Sequence, residues 1–207
     1  MNGCSCQELH RPRRIVVTGG PGAGKTAVLE LVRRSLCHHV RVLPESAGIL
    51  FAGGFPRGPA LEHRRAAQRA IFYVQRELES TAATDDLALV LCDRGTVDSL
   101  GYWPGPDDFW SGLGTSLDEQ LAHYDAVIHL RTPPPREYNH QNPLRVETPA
   151  EAAAIDERIV RAWERHPRRF EVPATRDVLA KARATLEIVY SQLPACCRAQ
   201  TLRGSSG

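Results

Sequence analysis

Apolar, β-branched residues recur along the chain in five short runs: RIVVT at 14–18, VRVLP at 40–44, LALVLCD at 87–93, AVIHL at 126–130 and RFEVP at 169–173. Runs of this length, rich in Val and Ile, read as strands. Between them the apolar residues recur at helical intervals, which predicts helices over about 25–36, 61–80, 116–123, 149–165 and 176–192. Ser116 to Glu119 and Thr148 to Glu151 each read as a capping box, and Pro149 occupies the first helical position of the second, where its missing amide costs nothing. Strands alternating with helices predict an α/β domain whose parallel sheet is covered on both faces. No repeat or second-domain boundary interrupts the pattern, so one domain is expected over 14–195, between flexible segments at 1–13 and 196–207.

The most flexible residues lie directly between the first strand and the first helix, in TGGPGAGKT, residues Thr18 to Thr26. This is the G-x-x-x-x-G-K-S/T pattern in its required context, strand before and helix after. Gly19, Gly20, Pro21, Gly22, Ala23 and Gly24 let backbone amides approach phosphate oxygens, and the helix that follows turns its unpaired donors and positive dipole end to the same anion. Lys25 is expected on the β- and γ-phosphates of a nucleoside triphosphate, and the Thr26 hydroxyl on magnesium. Asp93, at the end of LALVLCD, is the expected second magnesium anchor.

Two other segments read as loops. GILFAGGFPRGP, residues 48–59, is rich in glycine and proline and predicts a mobile loop beside an acceptor pocket. Residues 131–148 form a long, proline-bearing stretch with Arg131, Arg136 and Arg145, of a length that compact domains keep for function or leave disordered. After the fifth strand, PATRD lacks the lysine of the Asn/Thr-Lys-x-Asp element that reads guanine; Ala174 and Thr175 are instead candidates to line a base pocket.

Composition narrows the classes. With 42% hydrophobic residues in 207, the chain can bury a core without disulfides or metal. Its 26 basic and 24 acidic residues give a formal charge of +2, so no global excess points to nucleic acid or a membrane surface. The longest apolar run, LALVLC, is far too short to span a bilayer. The cysteines, Cys4, Cys6, Cys37, Cys92, Cys196 and Cys197, show none of the C-x-x-C spacings of zinc sites, and a cytoplasmic, reducing setting is expected.

Taken together, TGGPGAGKT, PESA at the end of strand two, IFYVQRELE on the next helix, CDRGTVDSLGYW after strand three and HLRTPPPREY after strand four resemble the AAA-type ATP/GTP-binding domains of the P-loop class. The set is similar to nicotinamide riboside kinases and, more distantly, deoxynucleoside kinases, and extends over most of 14–173. The resemblance implies a three-layer α/β/α P-loop fold, sheet order 2-3-1-4-5, and an arginine-bearing lid. Residue by residue, it implies that Glu45 accepts the proton of an acceptor hydroxyl and that Gln75 faces the acceptor. Asp93 and Arg94 would flank magnesium and the transferring phosphate, Asp98 would complete DRG-x-x-D, Tyr102 would join the acceptor site, and Arg136 and Arg145 would close over the phosphates. The implied activity is ATP- or GTP- and magnesium-dependent phosphoryl transfer to a small hydroxyl-bearing, nucleoside-like acceptor. The alternative is a nucleotide-binding regulatory ATPase or GTPase with no small-molecule acceptor.

Overall fold

A computed structural model describes residues 6–83, 85–134, 147–175 and 177–201. All five predicted strands form: β1 (Arg13–Thr18), β2 (Val40–Leu43), β3 (Leu89–Asp93), β4 (Ala126–Leu130) and β5 (Arg169–Val172). They pair in parallel in the order β2-β3-β1-β4-β5, as expected. Strand residues alternate between two packed layers, which is why the runs are continuously apolar. Ile15, Val17, Leu89, Leu91 and Ile128 face α1 (Lys25–Arg34) and, further along the chain, α6 (Val178–Gln192). Val16, Val90, Cys92 and Val127 face the other way, toward α3 (Leu61–Ala82), α4 (Leu117–Ala122) and α5 (Pro149–Ala162).

Both capping boxes form as read: the Ser116 and Thr148 hydroxyls accept from the amides of Glu119 and Glu151, whose carboxylates accept in return from the amides of Ser116 and Thr148.

Two segments depart from expectation. The predicted loop at 48–59 begins later, because Ser46–Ala52 forms helix α2, packed against α3. Its apolar residues Ile49, Leu50 and Phe51 outweigh one mid-helix glycine, Gly48, and the break comes at Gly53 and Gly54, the latter with φ +91°. The tail expected from residue 196 is helical as far as Thr201, as α7 (Ala195–Thr201), with Cys197 buried in the core. Arg136 and Arg145 lie outside the described residues.

Candidate active site

The site is built on the carboxyl ends of β1, β2 and β3. Gly19 packs so closely on β4 that a Cβ would meet the Leu130 carbonyl oxygen at 2.1 Å. Gly24 is the N-cap of α1, with φ +85°, and supplies no side-chain cap; no acidic residue stands in the first turn. The opening amides of α1 are therefore available to an anion rather than to the protein's own carboxylates. Lys25 is buried, with Nζ donating to the Gly19 carbonyl at 3.2 Å. Burial, then the nearby Arg94 charge, lowers its pKa, against the pull of Asp93, Glu45 and Asp98. Thr26 sits exposed beside it.

The sheet register brings the acidic and basic residues together. Leu43 pairs with Cys92, and continuing that parallel register places Glu45 opposite Arg94. Arg94 adopts φ +72°, rare for a residue with a side chain, while its amide donates to the Val17 carbonyl at 3.1 Å. Its Nε donates to Glu45 Oε1 at 2.6 Å and its NH2 to the Tyr102 hydroxyl at 2.8 Å, whereas NH1 is buried without a partner. Burial opposes the Arg94 charge, but Tyr102, Glu45 and Asp98 more than compensate and hold its pKa above the ordinary value. Burial also pushes the Tyr102 hydroxyl up to about 12. For Glu45, burial raises the carboxyl, but Arg94 and Lys25 overcome it and the net shift is downward.

Asp93 differs from both. Its carboxyl is pushed up to about 6, chiefly by burial, with Lys25 and Arg94 opposing and Glu45 and Asp98 reinforcing the rise. Its Oδ1 is buried with no hydrogen-bond partner. An orphaned carboxylate oxygen beside the phosphate loop, together with the Thr26 hydroxyl, is an oxygen donor set of the kind magnesium takes.

Behind the loop stand residues that sequence reasoning missed. Asp156 of α5 accepts from the Gly20 amide at 2.8 Å and lies 2.9 Å from His129 Nε2 and 3.4 Å from Arg131 Nε. Lys181 of α6 donates to the carbonyls of Ala23, 2.9 Å, and Arg131, 3.0 Å, and the Thr132 hydroxyl donates to Pro21 O at 3.3 Å. Asp156 on α5, Lys181 on α6 and Thr132 just after β4 thus hold the loop backbone in place. The signals available in sequence were a buried-strand histidine and a lone lysine on an apolar helix face, neither of which names its partner.

Other expected residues fall elsewhere. Gln75 is buried on the inner face of α3, donating to Glu79 Oε1 at 2.7 Å, in a polar group with Tyr124 and Thr96 rather than on an open acceptor face. Asp98 spends both carboxylate oxygens on structure: Oδ1 accepts from the Thr18 hydroxyl and Trp163 Nε1, and Oδ2 from the Gly95 amide. It positions the turn that carries Arg94 instead of facing a ligand. Ala174 lines an open cleft of roughly 370 Å³ with Arg131, Thr132, Pro133 and Pro173, beside the loop's Asp156 brace. Thr175 is exposed, its hydroxyl accepting from the Asp177 amide at 3.1 Å.

Comparison with known proteins bears on the family and the fold. The family model described as an AAA domain matches residues 14–181. Thymidylate kinase from Candida albicans is among the solved structures that match, with a TM-score of 0.60 over 87% of this chain and 92% of that one, at 14% sequence identity. At that identity the likeness is one of fold. No curated protein matches the chain.

Proposed function

Because the chain belongs to the AAA domain family and has a P-loop kinase fold, we propose that it is an ATP- and magnesium-dependent phosphotransferase acting on a small hydroxyl-bearing, nucleoside-like acceptor. The observation that carries this reading is the convergence of Glu45, Asp93 and Arg94 within electrostatic reach of Lys25, with Asp93 Oδ1 and Arg94 NH1 buried and unpartnered. A loop that merely held a magnesium nucleotide would call for Lys25, Thr26 and Asp93, whereas this cluster adds the Glu45–Arg94 pair where an acceptor would meet the γ-phosphate.

In this mechanism the loop amides and Lys25 hold the triphosphate, and the cleft beside Ala174 takes the base. Thr26 and Asp93 would hold magnesium, which when bound neutralises charge on the β- and γ-phosphate oxygens. Glu45 orients the acceptor hydroxyl, and Arg94 NH1 takes an equatorial oxygen of the moving phosphoryl group. The bond from acceptor oxygen to γ-phosphorus forms as the β,γ-bridging bond breaks, ADP leaves, and the hydroxyl proton passes to Glu45. A carboxylate with a lowered pKa is a weak base, but in a loose transition state the proton leaves late, so orientation matters more than basicity. The Arg94 contact also fixes the Glu45 carboxylate, so that its reach to the acceptor is set before substrate arrives.

The test is incubation of the protein with a metabolite extract, ATP and magnesium, followed by mass spectrometry. The expected result is one species gaining a single phosphate, absent with Lys25→Ala. Tight nucleotide binding with no phosphorylated product from a broad extract would replace this reading with that of a regulatory ATPase.

A further inference from the structure

The two ends of the described chain meet at α7, far from the phosphate loop in sequence and on the α1/α6 side of the sheet. Cys6 packs against that core, Arg13 NH1 donates to the Gln192 carbonyl at 3.0 Å, and the His10 amide donates to Asp86 Oδ1 at 3.1 Å. At this junction four metal-ligating side chains converge: Cys6 and His10 from the N-terminal segment, Cys196 and Cys197 from α7. Their Sγ and imidazole nitrogen atoms all lie within 4.8 Å of one another, although His10 and Cys197 are 187 positions apart in the chain.

We propose that Cys6, His10, Cys196 and Cys197 form a structural zinc site that joins the N-terminal segment to the C-terminal helix. The geometry matches the ion. With Zn–S near 2.3 Å and Zn–N near 2.1 Å, the edges of a tetrahedral shell are about 3.6 Å for sulfur to nitrogen and about 3.8 Å for sulfur to sulfur. His10 Nε2 lies 3.5 Å from Cys6 Sγ and 3.5 Å from Cys197 Sγ, so two edges already have the length the ion requires. The set is Cys₃His, four-coordinate and closed, which is the composition of structural rather than catalytic zinc. Soft thiolates also select zinc over the magnesium of the phosphate site, whose donors are all oxygen.

Binding releases three protons, one from each thiol, and leaves three thiolates against a 2+ ion, a net charge of 1−. His10 coordinates through Nε2 and so keeps its proton on Nδ1. His39 stands behind the site with Nδ1 3.7 Å from Cys197 Sγ, placed to donate a hydrogen bond to the thiolate and offset that charge. Cys37 and His39 make a second trio with Cys197, but three ligands leave the shell incomplete, whereas the Cys6 set fills it. Cys6, His10 and Cys196 are half-buried, so an ion can reach them from solvent, and Cys197 anchors the site in the core.

The experiment uses the untagged full chain, reduced, stripped of metal, and titrated with zinc and with cobalt. We expect about one ion per chain by elemental mass spectrometry, and with cobalt the intense visible bands of a tetrahedral site plus a thiolate charge-transfer band in the near ultraviolet. Zinc should raise the melting temperature by about 5 °C or more. Cys6→Ser, His10→Ala and Cys196→Ser should each lose the cobalt spectrum and the zinc-dependent shift, while Cys92→Ser on β3 keeps both. Should a ligand variant fail to fold, the wild-type cobalt spectrum still decides the matter. A wild-type chain that binds no stoichiometric zinc, a cobalt spectrum without thiolate bands, or full binding by Cys6→Ser would overturn the proposal. So would a mass two hydrogens low in the unreduced chain that tracks to Cys6 and Cys196, since that pairing would mark the cluster as a disulfide.

Discussion

The phosphate loop and the cluster at the ends of β2 and β3 are neighbours built on opposite plans. Behind the loop, side chains brace its backbone: Asp156 holds the Gly20 amide, Lys181 the Ala23 carbonyl and Thr132 the Pro21 carbonyl, while the opening amides of α1 stay uncapped. In the cluster side-chain valences are left over, with Asp93 Oδ1 and Arg94 NH1 buried and unpartnered. A buried polar group without a partner costs about 1–3 kcal/mol, so the fold tolerates a local loss in the cluster while it braces the loop. The difference separates two jobs. Under the proposed function, the braced loop fixes where the phosphates would sit, and the cluster keeps a donor and an acceptor for substrate and metal.

The largest consequence lies in catalysis. Glu45→Gln keeps the shape and an acceptor for Arg94 but removes the charge and the proposed proton acceptor. We expect kcat for phosphoryl transfer to fall by about a thousandfold, within the range measured for general bases. Because the Glu45 side chain is 35% exposed, its ion pair contributes little to folding, and the melting temperature should move by less than about 3 °C. A variant with kcat within threefold of the parent would show that Glu45 is not at the reacting centre.

The braced region should behave in the reverse way. Asp156 is 2% exposed, and Asp156→Ala strands the Gly20 amide and leaves Arg131 and His129 without their shared acceptor. The expected loss is about 3 kcal/mol, or a fall of about 6–12 °C in melting temperature, with the rate at saturating substrate reduced far less than in Glu45→Gln. The pH dependence identifies the cause. Burial opposes ionisation of Asp156, but the His129 and Gly20 hydrogen bonds and the Arg131 charge win, holding its carboxyl below the ordinary 3.8. The folded state therefore binds this proton less readily than the unfolded chain. Its contribution is complete above pH 3.8 and disappears as pH falls through the lower folded-state value. Melting curves of the parent and Asp156→Asn should keep a constant gap from neutral pH down to about 4.5 and converge below. A gap that widens in acid would contradict the assignment.

The same contrast explains what could be read from the sequence. The strands, two helix starts and the phosphate loop were legible because each rests on local pattern: β-branched runs, capping boxes, and glycines ahead of Lys25 and Thr26; the strand order followed from the resemblance to P-loop domains. Glu45 and Arg94 were legible as residue types, and the register of Leu43 with Cys92 supplies the contact that pattern could not. The braces were not legible, since Asp156, Lys181 and Thr132 bind backbone atoms, which carry no side-chain signature, across 136, 158 and 111 positions of chain. Asp98 and Gln75 were placed by motif and by helix position, but their partners, Trp163 and Glu79, are set by packing. Helix α2 was hidden by the glycines and prolines that follow it. The cysteine cluster was hidden because its ligands come from the two ends of the chain, where spacing rules for adjacent cysteines do not apply.

The smallest effect offers the sharpest division between the regions, because its sign differs from that of most substitutions. Asp93 carries a carboxylate oxygen with no partner in a site only 8% exposed, so its charge opposes folding when no metal is bound. Asp93→Asn keeps the volume and removes the charge. In the presence of a chelator near neutral pH, the variant should be more stable than the parent by about 1 kcal/mol, a rise of about 2–4 °C in melting temperature. Added magnesium and ATP should then raise the melting temperature of the parent and leave the variant nearly unchanged, as ligand binding to the folded state requires. A loss of stability in the metal-free variant would mean that Asp93 is held by the protein itself, and the contrast between a braced loop and an unsaturated cluster would fail at its central residue.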